Sequence, residues 1–380
     1  MSKLSVREIQ FYERDVRLRM PFRFGVITLR ESPQVFLRLR IALENGREDW
    51  GVAAELLAPK WFDKNADLSN EENYEQLRTS LRLAVALYTS DKEFLTPFAL
   101  YSKNYPLQIS ECQKRNLNPL IAAYGPALLD RAILDALCRL HDISFYQAVQ
   151  SNLPGMERCD LLTDFSNEGL NGFLESLRPR ESIHARHTVG LVDPITEADL
   201  KAEYRVNDGL PETLEEVIAT YGNTYFKLKV AGQVENDLDR LCAIAAVLDR
   251  SVKPYYVSLD GNEQFHEFKK VEELWDRMEK TPSLRRLMKS IVFVEQPLDR
   301  MIALQNDVSQ LGVTRPLVID ESDNELDAFP RARHLGYRGV SSKTCKGIYK
   351  SIINAARCAI WNEQEGRHYY FMTGEDLSTQ

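Results

Sequence analysis

The chain has 380 residues, with 48 Lys plus Arg against 56 Asp plus Glu, a formal charge of −8 and a pI near 5.5. Its longest cationic clusters, Lys269-Lys270 and Arg285-Arg286, are short and flanked by acids, which argues against nucleic acid as a partner. A 44% hydrophobic, 27% charged composition is that of a globular chain with room for about two domains, and excludes disorder as its main state.

The first residues lack an apolar leader with a cleavage site, and no later stretch approaches the roughly 18 apolar residues that a membrane span needs. The expectation is a cytoplasmic protein with no membrane partner. Six cysteines are scattered without a CxxC pair and read as buried free thiols, not as a zinc site.

In chain order, residues 5–18 read as a strand, and Val35, Leu37, Leu39, Ile41 and Leu43 alternate with polar positions as a half-buried strand should. Asn45-Gly46 marks a tight turn, after which residues 50–57 return antiparallel. Apolar spacing of three and four over 71–90 and 126–141 predicts amphipathic helices. Residues 1–155 are thus expected to form an α+β domain.

From there the rhythm changes. Short apolar runs at 184–190, 225–230, 255–259, 291–294, 317–319, 339–342 and 369–372 are separated by helical segments such as 235–249 and 350–361. Strand then helix, repeated, implies parallel strands joined by right-handed crossovers, in either a barrel or a doubly wound open sheet. No glycine-rich phosphate-binding motif favours the open sheet.

The residues ending the runs decide between them. They are Lys229 (with Lys227 two before it), Asp260, Glu295, Asp320 and Lys343, each about one βα unit from the next. In a (β/α) barrel such groups converge on one mouth. Any one acid at a strand end is more often a cap or loop residue; five ionisable groups in consecutive units carry the argument as a set. Three carboxylates without a metal repel one another, whereas around one Mg2+ they are complementary. Lys227 and Lys229 share a strand face, and repulsion is expected to lower their pKa values, making a general base. With Lys343 arriving from the far side, two bases would flank a metal that holds a substrate carboxylate and stabilises the enediolate left when the α-proton departs.

With these residues in view, nearly the whole chain resembles the enolase superfamily in its mandelate racemase and muconate lactonising branch. Lys227-Leu228-Lys229 matches that family's KxK motif, and Asp260-Gly261-Asn262, Glu295-Gln296-Pro297 and Asp320-Glu321-Ser322 match its ligand segments. The resemblance implies a capping domain over a TIM-like (β/α)7β barrel at 156–380, one divalent Mg2+ on Asp260, Glu295 and Asp320, and a small-molecule carboxylate substrate. It implies Lys229 and Lys343 as the two bases, with Lys227 tuning its neighbour. Lysine on the sixth strand resembles the muconate lactonising subgroup, although Lys346-Gly347-Ile348 departs from its usual Lys-x-Gly-Gly. Family members commonly form homo-oligomers.

Asn262 and Glu321 are candidate supports for ligands or Lys343. Phe24 and Trp61, on segments 21–26 and 60–62 that resemble the family's two closing loops, are candidate substrate contacts, as are His187 and Glu375, with Asp376 beside the latter. The chain stops at Gln380, just past the seventh barrel strand, where the family continues through an eighth; the expectation is a longer natural product or a separate segment that completes the barrel. Racemisation or epimerisation is the simplest outcome of two bases. The alternatives are β-elimination, by a cycloisomerase or dehydratase, and a non-catalytic metal-binding scaffold.

Overall fold

The structure, a computed structural model, describes residues 2–90, 92–251, 254–310 and 315–375. Alternation at the start gives a three-stranded antiparallel sheet of β1 (Leu4–Phe24), β2 (Ile27–Leu43) and β3 (Glu48–Leu56). Val35, Leu37, Leu39 and Ile41 are buried on one face while Arg38 points to solvent, as a period of two demands. Asn45-Gly46 makes the β2–β3 turn, with Gly46 in the left-handed region at φ 81°. One expectation is corrected here. Segment 21–26 is not a free loop: after a register shift between Arg17 and Phe22, β1 runs on to Phe24 and turns through Gly25-Val26 into β2.

Helices α1 (Asn70–Ser90) and α3 (Pro119–His141) cover the apolar face of this sheet, and α2 (Pro97–Gln113) packs against both. α3 starts seven residues before the expected helix because the Asn118 side chain caps it, accepting from Ile121 N–H at 3.0 Å, and Pro119 suits the first turn. α3 presses so closely on β3 that a Cβ on Gly51 would lie 1.9 Å from the Ala132 carbonyl oxygen. The sequence reading passed over α2, whose apolar period is interrupted by Pro106.

The rest of the chain alternates strand and helix. Strands β4 (Arg186–Val189), β5 (Tyr225–Lys229), β6 (Tyr256–Asp260), β7 (Ile291–Glu295), β8 (Leu317–Ile319), β9 (Gly339–Lys343) and β10 (Phe371–Glu375) pair in parallel, in sequence order. A doubly wound sheet reverses its order at a switch point, and this one does not. The end strands also face each other across one side chain: Arg186 of β4 donates to Ser258 Oγ at 3.0 Å, to Thr373 Oγ1 of β10 at 3.0 Å and to Glu375. The sheet therefore curls into a TIM-like barrel, capped by the N-terminal α+β unit.

Around it lie α4 (Phe145–Gln150), α5 (Asn167–Ser176), α6 (Leu214–Tyr221), α7 (Val234–Ser251), α8 (Phe268–Lys280), α9 (Arg285–Ser290), α10 (Arg300–Ala303), α11 (Ala328–His334) and α12 (Ile348–Glu365). Outward residues such as Phe226, Leu228 and Val257 form the strand–helix core, while Lys227 and Lys229 point inward. Among the described residues no helix is long and apolar enough to cross a membrane.

Candidate active site

Strand register places the charged groups side by side. Lys229 pairs with Asp260, Asp260 with Glu295, and Lys343 with Glu375, while Asp320 follows β8 directly. All are buried or nearly so. Lys229 Nζ lies 2.6 Å from Asp260 Oδ2; Lys227 Nζ lies 2.8 Å from the same oxygen and 2.9 Å from Glu295 Oε2, and also reaches Glu375. Lys343 donates to Asp320 Oδ2 and, at 2.6 Å, to Glu375 Oε2. Lys346 adds a further cation, 3.1 Å from Asp320 Oδ1.

This changes one electrostatic expectation. Burial works against the charged form of Lys227, but Asp260, Glu295 and Glu375 together outweigh it and hold its pKa above the ordinary lysine value. Lys343 behaves alike: burial opposes its charge, and Asp320 and Glu375 overcome it. Neither lysine is depressed, because the cations do not face one another across an empty strand face; carboxylates stand between them. The same contacts keep the buried Asp260, Asp320 and Glu375 carboxyls below the usual range against the cost of burial.

Glu295 is the exception. Burial and the nearby Glu375 carboxylate push it up to about 8, and its buried oxygens have the Lys227 ion pair but no contact of hydrogen-bond geometry. One oxygen from each of Glu295, Asp320 and Glu375 lies within 4.8 Å of the other two. The expected trio of Asp260, Glu295 and Asp320 thus sits on adjacent strand ends, but Glu375 replaces Asp260 in the tightest grouping, since Asp260 is drawn to the two β5 lysines. A buried carboxylate without a hydrogen bond beside two others is a donor set that fits a divalent cation.

The backbone after the acids is strained in the way functional loops often are. Asn262, Glu263 and Gln296 adopt positive φ of 39°, 66° and 31°. Gly261 is required there, because a Cβ would stand 2.6 Å from Pro297 Cα. Gln296 ties two strand ends together, its Oε1 accepting from Asp320 N–H at 2.8 Å and Ser322 N–H at 3.1 Å. Asn262 Nδ2 donates to Glu321 Oε1 at 3.1 Å, which brings these two candidates together below the mouth; burial and Asp320 push Glu321 up to about 7.

The cap supplies the roof. Trp61 stands over Lys343, with Nζ 5.5 Å from the ring centroid, and Phe24 of the hairpin tip joins it over a cavity of about 120 Å3 whose floor includes Lys227, Lys229, Asn262, Lys343 and Glu375. A roomier cleft of about 630 Å3 between α3, α4 and the start of α12 contains none of the strand-end groups, so size alone misplaces the chemistry. His187 is not brought to the site. Arg186 and Thr188 point inward, so His187 faces the helices, edge-on to Phe226, where burial lowers its pKa. Asp376 lies outside the described residues. Sequence reasoning missed Arg186, Lys346 and Gln296; Gln296 alone carried a signal, in its Glu-Gln-Pro segment.

No family model and no curated protein matches the chain in sequence. Solved structures do. A dipeptide epimerase from Methylococcus capsulatus, complexed with Mg and L-Arg-D-Lys, is 16% identical at a TM-score of 0.60, covering 98% of this chain and 83% of that one. An enolase from Bradyrhizobium, complexed with magnesium and mandelic acid, is 13% identical at a TM-score of 0.63, covering 99% and 83%. The chain shares its fold with these enzymes. A muconate lactonizing enzyme from Pseudomonas fluorescens, complexed with muconolactone, shares the fold at 18% identity and a TM-score of 0.59, covering 98% of this chain and 80% of that one.

Proposed function

We propose that the chain is a divalent-metal-dependent enzyme of the mandelate racemase and muconate lactonising branch, which removes the α-proton of a carboxylate substrate. The observation that carries this reading is Glu295: a fully buried carboxylate with no hydrogen bond, flanked by two more acids and bracketed by lysines. Glu295 and Asp320, with Asp260 or Glu375, would hold the ion, Mg2+ as in two of the similar structures. When bound, it supplies positive charge against the substrate carboxylate as the α-carbon loses its proton.

Lys229, beside Asp260, takes the proton from one face when in its neutral form. Lys343, held charged by Asp320 and Glu375, stands on another strand four places along and supplies a proton or a cation from the other side. Lys227 holds Asp260, Glu295 and Glu375 in register. Return of the proton to the opposite face gives racemisation or epimerisation. The standing charge on Lys343 also suits β-elimination, where it meets the leaving group.

Solvent deuterium exchange tests this on carboxylates incubated with the protein and Mg2+. Incorporation at the α-carbon without elimination is expected for the epimerase reading, and elimination with exchange for the second. Exchange that persists in Lys229→Ala and Lys343→Ala alike contradicts both.

A further inference from the structure

The cap and barrel are joined at the mouth by a buried ionic knot. Arg300, at the start of α10, donates its backbone N–H to Glu263 Oε1 at 2.8 Å, its Nε to the same oxygen at 2.6 Å and one Nη2 bond to Oε2 at 2.7 Å. The remaining guanidinium donors reach the backbone carbonyls of Phe62 and Trp61, both at 2.8 Å. Lys64, three residues past Trp61, closes the knot 2.6 Å from Glu263 Oε2. Glu263 is 1% exposed and Arg300 13%, so the pair is held out of water. Its geometry is bidentate, the strong arrangement for guanidinium and carboxylate.

The knot fixes the roof segment by its own carbonyls. Trp61 is 1% exposed and Phe24 6%; with Phe22, Leu29 and Ala58 they make the upper wall wholly apolar. The space beneath is about 120 Å3, some four water volumes at roughly 30 Å3 each. On the floor, Lys227, Lys229 and Lys343 each already face a carboxylate. A second charged group on a substrate would therefore meet the apolar roof and, beside the floor, only the uncharged Thr188 and Asn262, where an unpaired charge is heavily penalised.

We infer that the Arg300–Glu263 pair is a positioning device that pins the aromatic roof down and so restricts the site to carboxylates whose α-substituents are compact and uncharged. This rests on the metal-dependent reading above. A dipeptide or a second carboxylate requires the roof to lift, and lifting it breaks the knot.

Calorimetry on the full chain separates the two claims. Mg2+ is titrated first, then 2-hydroxy-3-methylbutanoate and the dipeptide L-Ala-L-Glu, each in saturating Mg2+. Wild type is expected to bind Mg2+ and to prefer the small acid at least tenfold. Arg300→Met is expected to narrow that preference at least tenfold, mainly by gaining dipeptide affinity, with Arg300→Lys recovering part of it. Trp61→Ala, which opens the roof without touching the knot, is expected to shift the preference in the same direction and stands in should Arg300→Met not fold. A merely structural role for Arg300 weakens both ligands equally and overturns the inference, as does a wild type that binds Mg2+ yet prefers the dipeptide. Failure to bind Mg2+ at all overturns the underlying reading and the inference with it.

Discussion

Asp130 in the cap and Asp260 at the barrel mouth are equally buried, yet their pKa values are shifted in opposite directions. Asp130 on α3 has Tyr88 as its hydrogen-bond donor, at 2.9 Å, and burial lifts its pKa well above the ordinary value. Asp260 pays the same burial penalty, but two lysines override it and keep the carboxylate ionised. Burial alone neutralises an acid; charge survives inside a protein only where opposite charges are built around it. The cap acid thus has one neutral hydroxyl as its partner, whereas the mouth acid belongs to a continuous ionic lattice.

Replacing Asp260 strains that contrast most. Asp260→Ala leaves Lys229 buried without its carboxylate and is expected to cost about 4 kcal/mol in denaturant unfolding of the metal-free protein, whereas a loss below about 1 kcal/mol removes the lattice argument.

A smaller effect comes from Lys350 on α12, packed beneath the mouth against Asp323, where burial depresses it to about 8. A lysine with a lowered folded pKa carries a penalty that is complete below that value and fades as pH rises toward its unfolded pKa, because the unfolded chain keeps the proton longer. Stability should therefore rise between about pH 8 and 10.5, by at most about 3 kcal/mol from this group. Lys350→Met is expected to flatten that part of the pH–stability curve; an unchanged slope contradicts the assignment.

The smallest change is expected in the cap. Asp130→Asn keeps the shape and an acceptor for Tyr88 and introduces no charge difference, so unfolding free energy should move by no more than about 1 kcal/mol. A loss as large as that for Asp260→Ala means that Asp130 is ionised, and the contrast fails.

The two regions also differ in how far they could be read from sequence. Lys229, Asp260 and Glu295 were legible because parallel strands of similar length bring their last residues into register, so spacing along the chain becomes adjacency in space. Glu375 was legible as a position but not as a partner, since its contacts with Lys227, Lys343 and Arg186 span the ring. Arg186 gave no signal at all: its reach to Thr373 depends on the curl that brings β4, at one end of the sheet, opposite β10 at the other. His187 takes the outer strand face, against Phe226, the structural place that a lone histidine near a strand end more often has. The Arg300–Glu263 knot was invisible for a related reason, joining two loops and the cap, none of which carries a periodic pattern. The pKa direction of Lys227 failed because the sequence shows two lysines near each other but not the carboxylates lying between them.

Mg2+ binding tests the central claim most directly, by calorimetry on the wild-type chain beside Asp260→Ala, Glu295→Gln and Asp320→Asn. One Mg2+ site per chain in the wild type, lost or weakened at least tenfold in Glu295→Gln and Asp320→Asn, is the result expected, and Asp260→Ala decides whether Asp260 or Glu375 completes the set. A wild type that binds no Mg2+, or one whose binding is indifferent to Glu295→Gln, would contradict the account.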